Sequence, residues 1–210
     1  MTIDIENSNL FMMCTKLHKN AMTELPSEYH FRYIRSNELD IWKRMPFDDS
    51  DTAYKYYGYM NDWYERVYAP RSDLFFNACL FVCDADGFPV GTCFLWRAYG
   101  IVNTVHWFKV IKPHEGKGIG RALLSKLMKD AEYPVFLHTQ PGSYRAIKLY
   151  SDFGFAFLLD PVIGGRKNDV NAALPFLKAH MPDSDYAKLA FTYAPESFLC
   201  IVSEHDAAEF

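Results

Sequence analysis

The middle of the chain alternates between apolar runs and turn signals, which predicts the core of a β-sheet. The stretches "NACLFVC" and "PVGTCFLWRAY" are joined by "DADGF". Its Asp86-Gly87 pair is a strong hairpin signal, because such pairs readily adopt the backbone of tight turns. A third strand, "TVHWFKVI", follows. The pattern therefore predicts strands that follow one another closely before any long helix.

After these strands the spacing between apolar residues changes from two to about four positions, which indicates helices between strands. The order is helix "IGRALLSKLMKDA", strand "PVFLHT", helix "SYRAIKLYSDF" and strand "FAFLLD". Gly154 stands where the second helix should end in the left-handed conformation. Strands first and strand-helix alternation later predict an α/β fold with a mixed sheet and helices on its faces.

The two ends of the chain carry weaker signals. We expect a short helix over "LFMMCTKLHKNAM", a strand over "HFRYI", and a helix over "SNELDIWKRM" that is capped by Ser36 and stopped by Pro46. The tail predicts a helix over "VNAALPFLKAHM" and a last strand over "SFLCIV". Between residues 53 and 69, one helical stripe is predicted from Tyr56, Met60, Trp63 and Val67.

Composition and charge narrow the class of protein. The 210 residues, half of them apolar, suit one domain over 1–210. A net charge of -4 argues against duplex nucleic acid and leaves small cationic substrates open. The longest apolar stretch, "LFFNACLFVC", is well short of the roughly 20 residues of a membrane span. The N-terminus lacks the basic start of a secretory signal, so we expect a cytoplasmic protein without membrane partners.

Cysteine and histidine spacing gives no sign of a metal or a disulfide framework. The five cysteines include no C-x-x-C pair, so buried free thiols are expected. The histidines show no ligand spacing, and we expect no metal.

The stretch "HEGKGIG" puts three glycines at alternate positions directly before an amphipathic helix. Glycines allow close approach to the backbone, and a helix N-terminus presents free amides to an anion. Lys117 and Arg121 add positive charge. The alternative is a flexible turn that merely starts a helix. Gly118 stands where a P-loop needs Ser or Thr, and the glycine spacing differs from the dinucleotide fingerprint.

Two longer stretches, "VIKPHEGKGIGRALLSKLM" and "LHTQPGSYRAIKLYSDFGF", together resemble the acyl-CoA core of the GNAT N-acetyltransferase superfamily. That family combines (Q/R)-x-x-G-x-(G/A) at a helix start with N-x-x-A-x-x-L-Y-x-x-x-G-F about two dozen residues later. The matching positions of the second motif are Ala146, Leu149, Tyr150, Gly154 and Phe155. The resemblance implies a single GNAT-like acetyltransferase domain over 1–210, with its acyl-CoA core at about 103–160. It also implies a mixed, mostly antiparallel sheet with helices on both faces.

The resemblance further implies a set of residues that contact acetyl-CoA, the acyl donor. They lie on the third predicted strand, in the glycine turn and on the second helix: Phe108, Val110, Glu115, Gly116, Lys117, Gly118, Ile119, Gly120, Arg121, Ser143 and Tyr150. Two of them depart from the family pattern. Glu115 replaces the usual Gln or Arg, so binding there would rest mainly on backbone amides. Ser143 replaces the usual Asn, and can still cap its helix.

Catalytic roles are carried over in the same way. The resemblance implies that Tyr150 protonates the departing CoA thiolate, while the alternative is a packing tyrosine. His138 and His106 stand where family members carry a base, although each could equally be a structural histidine. A backbone amide near Val110 would hold the developing oxyanion. A cysteine nucleophile is a competing mechanism.

The expected function is therefore transfer of an acetyl group from acetyl-CoA to an amine by direct attack. One alternative is a non-catalytic module that senses or presents acyl-CoA; another is a nucleotide-binding protein. The acceptor is a small-molecule or peptide amine, and a homodimer is an expectation from similar proteins. Aromatic and acidic residues between Trp42 and Tyr68 suit a cationic amine. They equally suit a packed amphipathic helix beside an acidic loop.

Overall fold

A computed structural model describes residues 4–205 and 209–210. The chain divides into two compact units. The first consists of Met1–Ala21, Arg97–Thr104 and Ala131–Phe210, as far as these residues are described, and the second of Met22–Trp96 and Val105–Asp130. Within the described residues, no helix is long and apolar enough to cross a membrane. That residues 1–210 form a single GNAT-like domain stays a prediction.

Ten strands and nine α-helices are described. The strands are β1 Leu10–Cys14, β2 His30–Tyr33, β3 Leu80–Cys83, β4 Pro89–Ala98, β5 Val102–Val110, β6 Val135–Thr139, β7 Phe155–Leu158, β8 Val162–Ile163, β9 Arg166–Lys167 and β10 Phe191–Thr192. The helices are α1 Leu39–Arg44, α2 Ser50–Lys55, α3 Tyr57–Trp63, α4 Ser72–Ala78, α5 Ile119–Met128, α6 Tyr144–Asp152, α7 Val170–His180, α8 Asp183–Tyr186 and α9 Glu196–Glu204. Short 3-10 turns cover Ile5–Asn7, Lys19–Ala21, Ser36–Glu38, Ala69–Arg71, Lys112–His114 and Pro141–Ser143, and a π-helical turn covers Tyr64–Tyr68.

The strands of the first unit follow the order β10-β7-β1-β6, with the start of β5 next to β6. β1 is antiparallel to both β6 and β7, whereas β10 is parallel to β7 and β5 is parallel to β6. In the second unit the order continues as β5-β4-β3-β2, with β2, β3 and β4 antiparallel. The predicted α/β class with a mixed, mostly antiparallel sheet is confirmed.

Several local predictions are confirmed. The turn between β3 and β4 closes through the Asp84 carboxylate, which accepts from the amides of Asp86 and Phe88. Gly87 in this turn has φ of 86°. Gly154 has φ of 98° and stands directly after the C-terminal turn of α6, as expected. These features depend on residues close together in sequence, which is why the sequence predicts them.

The predicted helix at residues 10–22 and the predicted strand near the C-terminus are both wrong. "LFMMC" forms β1, and all five of its residues are at most 4 % exposed. A strand between two neighbours buries both of its faces, so it shows the unbroken apolar run that was read as a helix. "SFLCIV" lies instead in α9, where Phe198 and Val202 are buried at helical spacing.

The segment from residue 36 to residue 68 is helical but more broken than predicted. Ser36 is not a helix cap; it lies in a 3-10 turn that Arg35 precedes, and the Glu38 carboxylate accepts from the Arg35 amide. The predicted stripe fails at Tyr56, which is 42 % exposed at the junction of α2 and α3. The π-helical turn after α3 shifts the helical phase, so Tyr64 and Tyr68 are buried together.

An ion pair secures the start of this helical segment in the second unit. The Arg32 guanidinium donates to both oxygens of Glu38, each at 2.7 Å. Burial of Glu38 opposes its ionisation, but hydrogen bonds from Arg32 and the Arg35 amide outweigh burial and lower its pKa below the ordinary 4.5. The carboxylate thus satisfies three donors at the point where β2 leads into α1.

We predict that Glu38→Gln lowers the free energy of unfolding by about 2 kcal/mol, because the Arg32 charge loses its hydrogen-bonded partner. A lowered folded-state pKa contributes stability that is present above the unfolded pKa and is lost as pH falls through the folded pKa. The difference in free energy of unfolding between the variant and the wild type should therefore be largest at neutral pH. It should shrink as the pH falls through the folded-state pKa of Glu38. Urea unfolding at several pH values measures this difference.

The matched control is Glu132→Gln. Glu132 pairs with Arg97 at 3.3 Å, but its side chain is 75 % exposed, so its loss should cost less than about 1 kcal/mol. Equal costs for the two variants, or a Glu38→Gln cost that does not change with pH, would contradict the assignment.

Candidate functional site

Strand β5 carries an irregularity at the centre of the second unit. Trp107 has φ of 51°, in the left-handed region that side-chain-bearing residues rarely adopt. In a regular strand, neighbouring side chains point to opposite faces. Here His106 and Trp107 both hydrogen-bond to one atom, the hydroxyl oxygen of Tyr68. The left-handed residue therefore brings two consecutive side chains to the same side.

The Tyr68 hydroxyl is the centre of this cluster. Its oxygen lies 2.6 Å from Nδ1 of His106 and 2.8 Å from Nε1 of Trp107. Nε1 of Trp63 also points at it, at 3.4 Å. Tyr68 is fully buried, and its ring packs against those of Trp42, Phe75, Phe94 and Trp96. This packing holds the hydroxyl fixed relative to His106.

The glycine turn of the second unit has the backbone that the sequence predicts. Gly116 and Gly118 have φ of 75° and 82°, and Gly118 is the N-cap of α5. The first helical amide bond runs from Ala122 to the Gly118 carbonyl, so the preceding amides at the helix start have no partner within the helix. A Cβ built on Gly116 would meet nothing within 4 Å. The space beside Gly116 is therefore free of other atoms.

Side chains around the turn set its position and charge. The Tyr29 hydroxyl lies 3.0 Å from Nδ1 of His114, and Pro26 lies 3.9 Å from the position of a Cβ on Gly118. Glu115 and Lys117 are exposed, Ile119 is buried, and Gly120 and Arg121 are half-buried. The exposed Glu115 side chain can remain in water, and the turn offers backbone amides with two basic residues close by in sequence.

Asp48 joins β5 to the segment before α2. Its carboxylate accepts from Lys109 at 2.6 Å and pairs with Lys112 at 3.2 Å. Burial opposes ionisation of Asp48, but the hydrogen bonds from the two lysines outweigh it and lower its pKa below the ordinary value of 3.8. The end of β5, where Phe108 and Val110 are half-buried, is thus tied to the helical segment.

In the first unit, His138 on β6 is held by an amide side chain. Its Nε2 lies 2.9 Å from Oδ1 of Asn9, and its ring lies 5.1 Å from that of Phe11. Amide oxygens only accept, so Nε2 carries the hydrogen and the lone pair of the neutral ring lies on Nδ1. A histidine with this tautomer can accept a proton at Nδ1.

Helix α6 of the first unit carries Tyr150, and Ser143 lies directly before it. Tyr150 is 6 % exposed and its ring lies 5.8 Å from that of Phe155. Ser143 lies in the preceding 3-10 turn, is exposed and makes no capping hydrogen bond. The expectation that the Ser143 hydroxyl caps the helix is therefore wrong.

The aromatic rings between Trp42 and Tyr68 already have cations of the chain over them. Lys43 lies over Tyr57 and Tyr64, at 5.7 and 5.2 Å from the ring centroids, and Arg44 lies 5.6 Å from that of Tyr57. The Tyr57 hydroxyl donates to Asp40. A cavity of about 720 Å³ opens here, lined by Arg44, Phe47, Asp48, Asp49, Tyr54 and Tyr57 among others. Some of the aromatic rings and carboxylates of this segment thus already contact cations or hydrogen-bond donors of the chain itself. Their abundance is therefore weaker support for a cationic acceptor.

The structure thus groups the candidate residues by unit. His106, Phe108, Val110 and the glycine turn belong to the second unit, and His138, Ser143 and Tyr150 to the first. Sequence reasoning missed Tyr68, Trp63 and Trp107 as partners of His106. Only the aromatic richness of residues 42–68 hinted at them. Across the described ranges, no group of three or more His, Cys, Asp and Glu side chains could hold a metal ion.

Comparisons with known proteins identify the family and the fold. The sequence model of the Acetyltransferase (GNAT) family matches residues 37–155, more than half of the chain. The search of curated proteins found no match to this chain. Among solved structures, a tandem GNAT protein from the clavulanic acid biosynthesis pathway is 11 % identical with a TM-score of 0.51. That match covers 72 % of this chain and 50 % of the other.

A GCN5-related N-acetyltransferase from Sphaerobacter thermophilus is 17 % identical with a TM-score of 0.47, over 64 % of this chain and 43 % of the other. This chain thus spans half or less of the length of these two proteins. The likeness to the tandem GNAT protein shows the fold. With the family match over residues 37–155, it follows that the chain belongs to the GNAT family of acetyltransferases.

Proposed function

We propose that this protein transfers an acetyl group from acetyl-CoA to an amine by direct attack. The observation that carries the proposal is the glycine turn, whose left-handed Gly116 and Gly118 lead directly into the N-terminus of α5. Helix amides and the helix dipole favour a phosphate at such a place. Family membership supports CoA as the bearer of that phosphate.

The residues of the turn fit a pyrophosphate bound through the backbone. The amides of Ile119, Gly120 and Arg121 belong to the first turn of α5, before its internal bonding begins. Lys117 and Arg121 supply positive charge, and the exposed Glu115 can point into water. The proposed binding role of Glu115 is through its backbone amide. Phe108 and Val110 on β5 are proposed contacts for the pantetheine arm. By the family resemblance, so are Ser143, in the 3-10 turn before α6, and Tyr150 on α6.

The proposed chemistry removes two protons from the amine and gives one proton to the leaving thiolate. An alkylamine of pKa near 10 arrives protonated and must lose its proton, and an imidazole of pKa about 6.5 can accept it directly or through water. His138 and His106 are the candidates. The neutral nitrogen then attacks the thioester carbon and forms the C–N bond, and it gives up a second proton to solvent as the C–S bond breaks. Tyr150 gives its hydroxyl proton to the leaving thiolate and regains one from solvent.

Charge develops on the carbonyl oxygen as the amine attacks. A backbone amide near Val110 is the proposed donor to this oxygen, because a fixed N–H group stabilises an oxyanion without reorganisation. The turn and the end of β5 would thus supply binding and electrostatic stabilisation through the backbone. The side chains would carry out the proton transfers.

The competing cysteine mechanism finds little support in the thiols. Burial raises the pKa of Cys14 to about 11 and raises the pKa values of Cys79 and Cys93 further, so these thiols stay protonated at neutral pH. Burial also raises the pKa of Cys83. Cys200 is exposed on α9. A cysteine mechanism would have to ionise a thiol, and burial opposes this at four of the five cysteines. Direct attack by the amine avoids that step.

A non-catalytic acyl-CoA sensor is the second candidate. The observation in its favour is Ser143, which stands in place of the family Asn, is exposed and makes no capping bond. A sensor would keep the glycine turn and bind acyl-CoA without releasing thiol. Localisation in the cytoplasm and assembly as a homodimer are proposals that either function allows.

We predict that the purified protein releases free thiol from acetyl-CoA only when an amine is present. A panel should contain polyamines, aminoglycosides, free amino acids and peptides with a free N-terminus, with thiol detected colorimetrically. Tyr150→Phe should lower the amine-dependent rate by about 100-fold, because the departing thiolate loses its proton donor.

Wild-type protein without amine is the blank, and Tyr186→Phe on α8 is a control for loss of a tyrosine hydroxyl elsewhere in the first unit. Tight acetyl-CoA binding without thiol release from any amine would favour the sensor. A wild-type rate in Tyr150→Phe would remove Tyr150 from the mechanism.

Glycine substitutions test the binding site itself. Gly118→Ala should weaken acetyl-CoA binding by about tenfold, because its left-handed φ disfavours a side chain and a shifted turn loses a charge-assisted hydrogen bond. Its stability should fall by about 1 kcal/mol. Calorimetry and thermal unfolding measure the two effects.

Gly100→Ala is the matched control. Gly100 also has a left-handed φ, 77°, with nothing within 4 Å of a built Cβ, but it lies in the turn between β4 and β5. It should cost similar stability and leave acetyl-CoA affinity unchanged. Unchanged affinity in Gly118→Ala as well would argue that the turn does not bind the donor.

A further inference from the structure

The cavity in the second unit is lined by charged groups of both signs. It has a volume of about 720 Å³ and is lined from the end of α1, from α2 and from the start of α3. A pocket of this size can hold a small molecule. Its charged lining residues are Arg44, Asp48 and Asp49. The contacts that these three groups already make indicate which charge a ligand should carry.

Both carboxylates of the cavity accept hydrogen bonds from the chain itself. Asp48 accepts from Lys109 at 2.6 Å and pairs with Lys112 at 3.2 Å. Asp49 is the N-cap of α2 and accepts from the Thr52 amide at 2.8 Å. Hydrogen bonds from Thr52 hold the pKa of Asp49 below its ordinary 3.8, and the charge of Lys112 adds to this effect. Neither carboxylate therefore depends on a cationic ligand for a partner.

The guanidinium of Arg44 is placed differently. It lies over the ring of Tyr57, 5.6 Å from the ring centroid. In the described part of the chain it forms no hydrogen bond and no ion pair. Asp40, one helical turn earlier on α1, accepts from the Tyr57 hydroxyl instead. A ring face attracts a cation but offers no oxygen to its N–H groups, so the donors of the exposed Arg44 remain for another molecule.

The chemistry of a guanidinium indicates the group that this arrangement would bind. Its donors form a planar fork that matches the two oxygens of a carboxylate. Contact with the Tyr57 ring limits the motion of the Arg44 side chain, so less freedom is lost when a carboxylate binds. A cationic group would be repelled by Arg44 and would find both carboxylates already hydrogen-bonded. The cavity therefore favours an anionic group.

The same cavity is linked to the strand end at which the transfer is proposed. Asp48 lines the cavity, and Lys109, which donates to it, directly precedes Val110 on β5. A backbone amide near Val110 is the proposed donor to the oxyanion. One carboxylate thus joins the cavity wall to the strand that is proposed to stabilise the reaction, within one unit of the chain.

We propose that the acceptor is an amine that also carries a carboxylate, such as a free amino acid or a short peptide, and that Arg44 binds this carboxylate in the cavity. This rests on the function proposed above and narrows its acceptor to one chemical class. The carboxylate is held at Arg44, and the amino group remains for attack on the thioester. The cationic acceptor that the composition of this segment suggests is replaced by an acceptor with an anionic group.

Binding can be measured without any acetyl transfer. The probes are free amino acids of each side-chain class, the dipeptide alanyl-phenylalanine, and the carboxamide of every probe, titrated into the full-length protein with CoA present and followed by saturation-transfer NMR. We expect at least one acid to bind at least about tenfold more tightly than its carboxamide, because a carboxamide cannot form a charge-assisted pair with a guanidinium. If no acid binds, or if the carboxamides bind as tightly, the proposal is overturned.

Variants of Arg44 test its role. Arg44→Gln removes the charge with little change in helix propensity, and the exposed position should let it fold, which thermal unfolding checks. We expect the acid to lose about tenfold in affinity and the carboxamide to lose none. Arg44→Lys keeps the charge without the fork and should fall between the two.

Arg66→Gln is the matched control. Arg66 is also exposed and lies over an aromatic ring, 5.4 Å from the centroid of Trp63, but it is not a lining residue of the cavity. Its replacement should leave the affinity for the acid unchanged. Unchanged affinity in Arg44→Gln, or an equal loss in both variants, overturns the role of Arg44.

Transfer activity separates this proposal from the function on which it rests. In the thiol-release assay, the acid that binds best should exceed its carboxamide by at least about tenfold in kcat/KM, and Arg44→Gln should remove this difference. Equal kcat/KM for acid and carboxamide contradicts the acceptor class even in an active acetyltransferase. If no amine releases thiol, the proposed function fails, while acid-selective binding that Arg44→Gln removes still supports the carboxylate site.

Discussion

The hydrogen bonds that converge on the Tyr68 hydroxyl are the constraint on which the second unit depends. They join the π-helical turn at Tyr64–Tyr68 to β5, two segments that lie far apart in sequence. The surrounding rings of Trp42, Phe75 and Phe94 bury this hydroxyl. A buried polar group must be satisfied or it costs stability, so each member of the cluster limits where the others can lie. The left-handed Trp107 belongs to this cluster, because its indole hydrogen-bonds to the Tyr68 hydroxyl.

The glycine turn depends on a different physical principle. Its function rests on backbone groups: glycine conformations that side chains disfavour, and helix amides without internal partners. The turn is supported from outside by Tyr29 and Pro26. A replacement of its side chains, such as Glu115 for the family Gln or Arg, can thus leave the binding geometry in place. The proposed function thus assigns binding of the donor to the backbone and proton transfer to side chains.

This division explains how far the sequence could predict the site. The glycine turn and the turn that ends α6 are local, and their glycines are visible in the sequence as they stand. The partners of His106 depend on contacts over tens of residues and on a left-handed tryptophan that no residue preference indicates. Ser143 stands at the N-cap position of α6, but its side chain makes no capping hydrogen bond, and its backbone lacks the extended conformation that capping residues usually adopt.

The errors in the fold have a similar origin. A short apolar run fits a helix or a fully buried strand, and only its neighbours decide which. β1 is flanked by β6 and β7, which the sequence could not show, whereas α9 has Phe198 and Val202 at helical spacing. The π-helical turn likewise moves the buried stripe to Tyr64 and Tyr68. In each case tertiary contacts, rather than the local sequence, determine the secondary structure.

The central claim, that the turn before α5 holds the phosphates of CoA, is tested most directly by calorimetric titration of the purified protein with acetyl-CoA, with NAD and ATP as competitors for the same turn. The account predicts one-to-one binding of acetyl-CoA and none, or much weaker binding, of the two nucleotides. Binding of NAD or ATP in preference to acetyl-CoA, or no binding of acetyl-CoA at all, would contradict it. The proposed catalytic roles would then lose their basis.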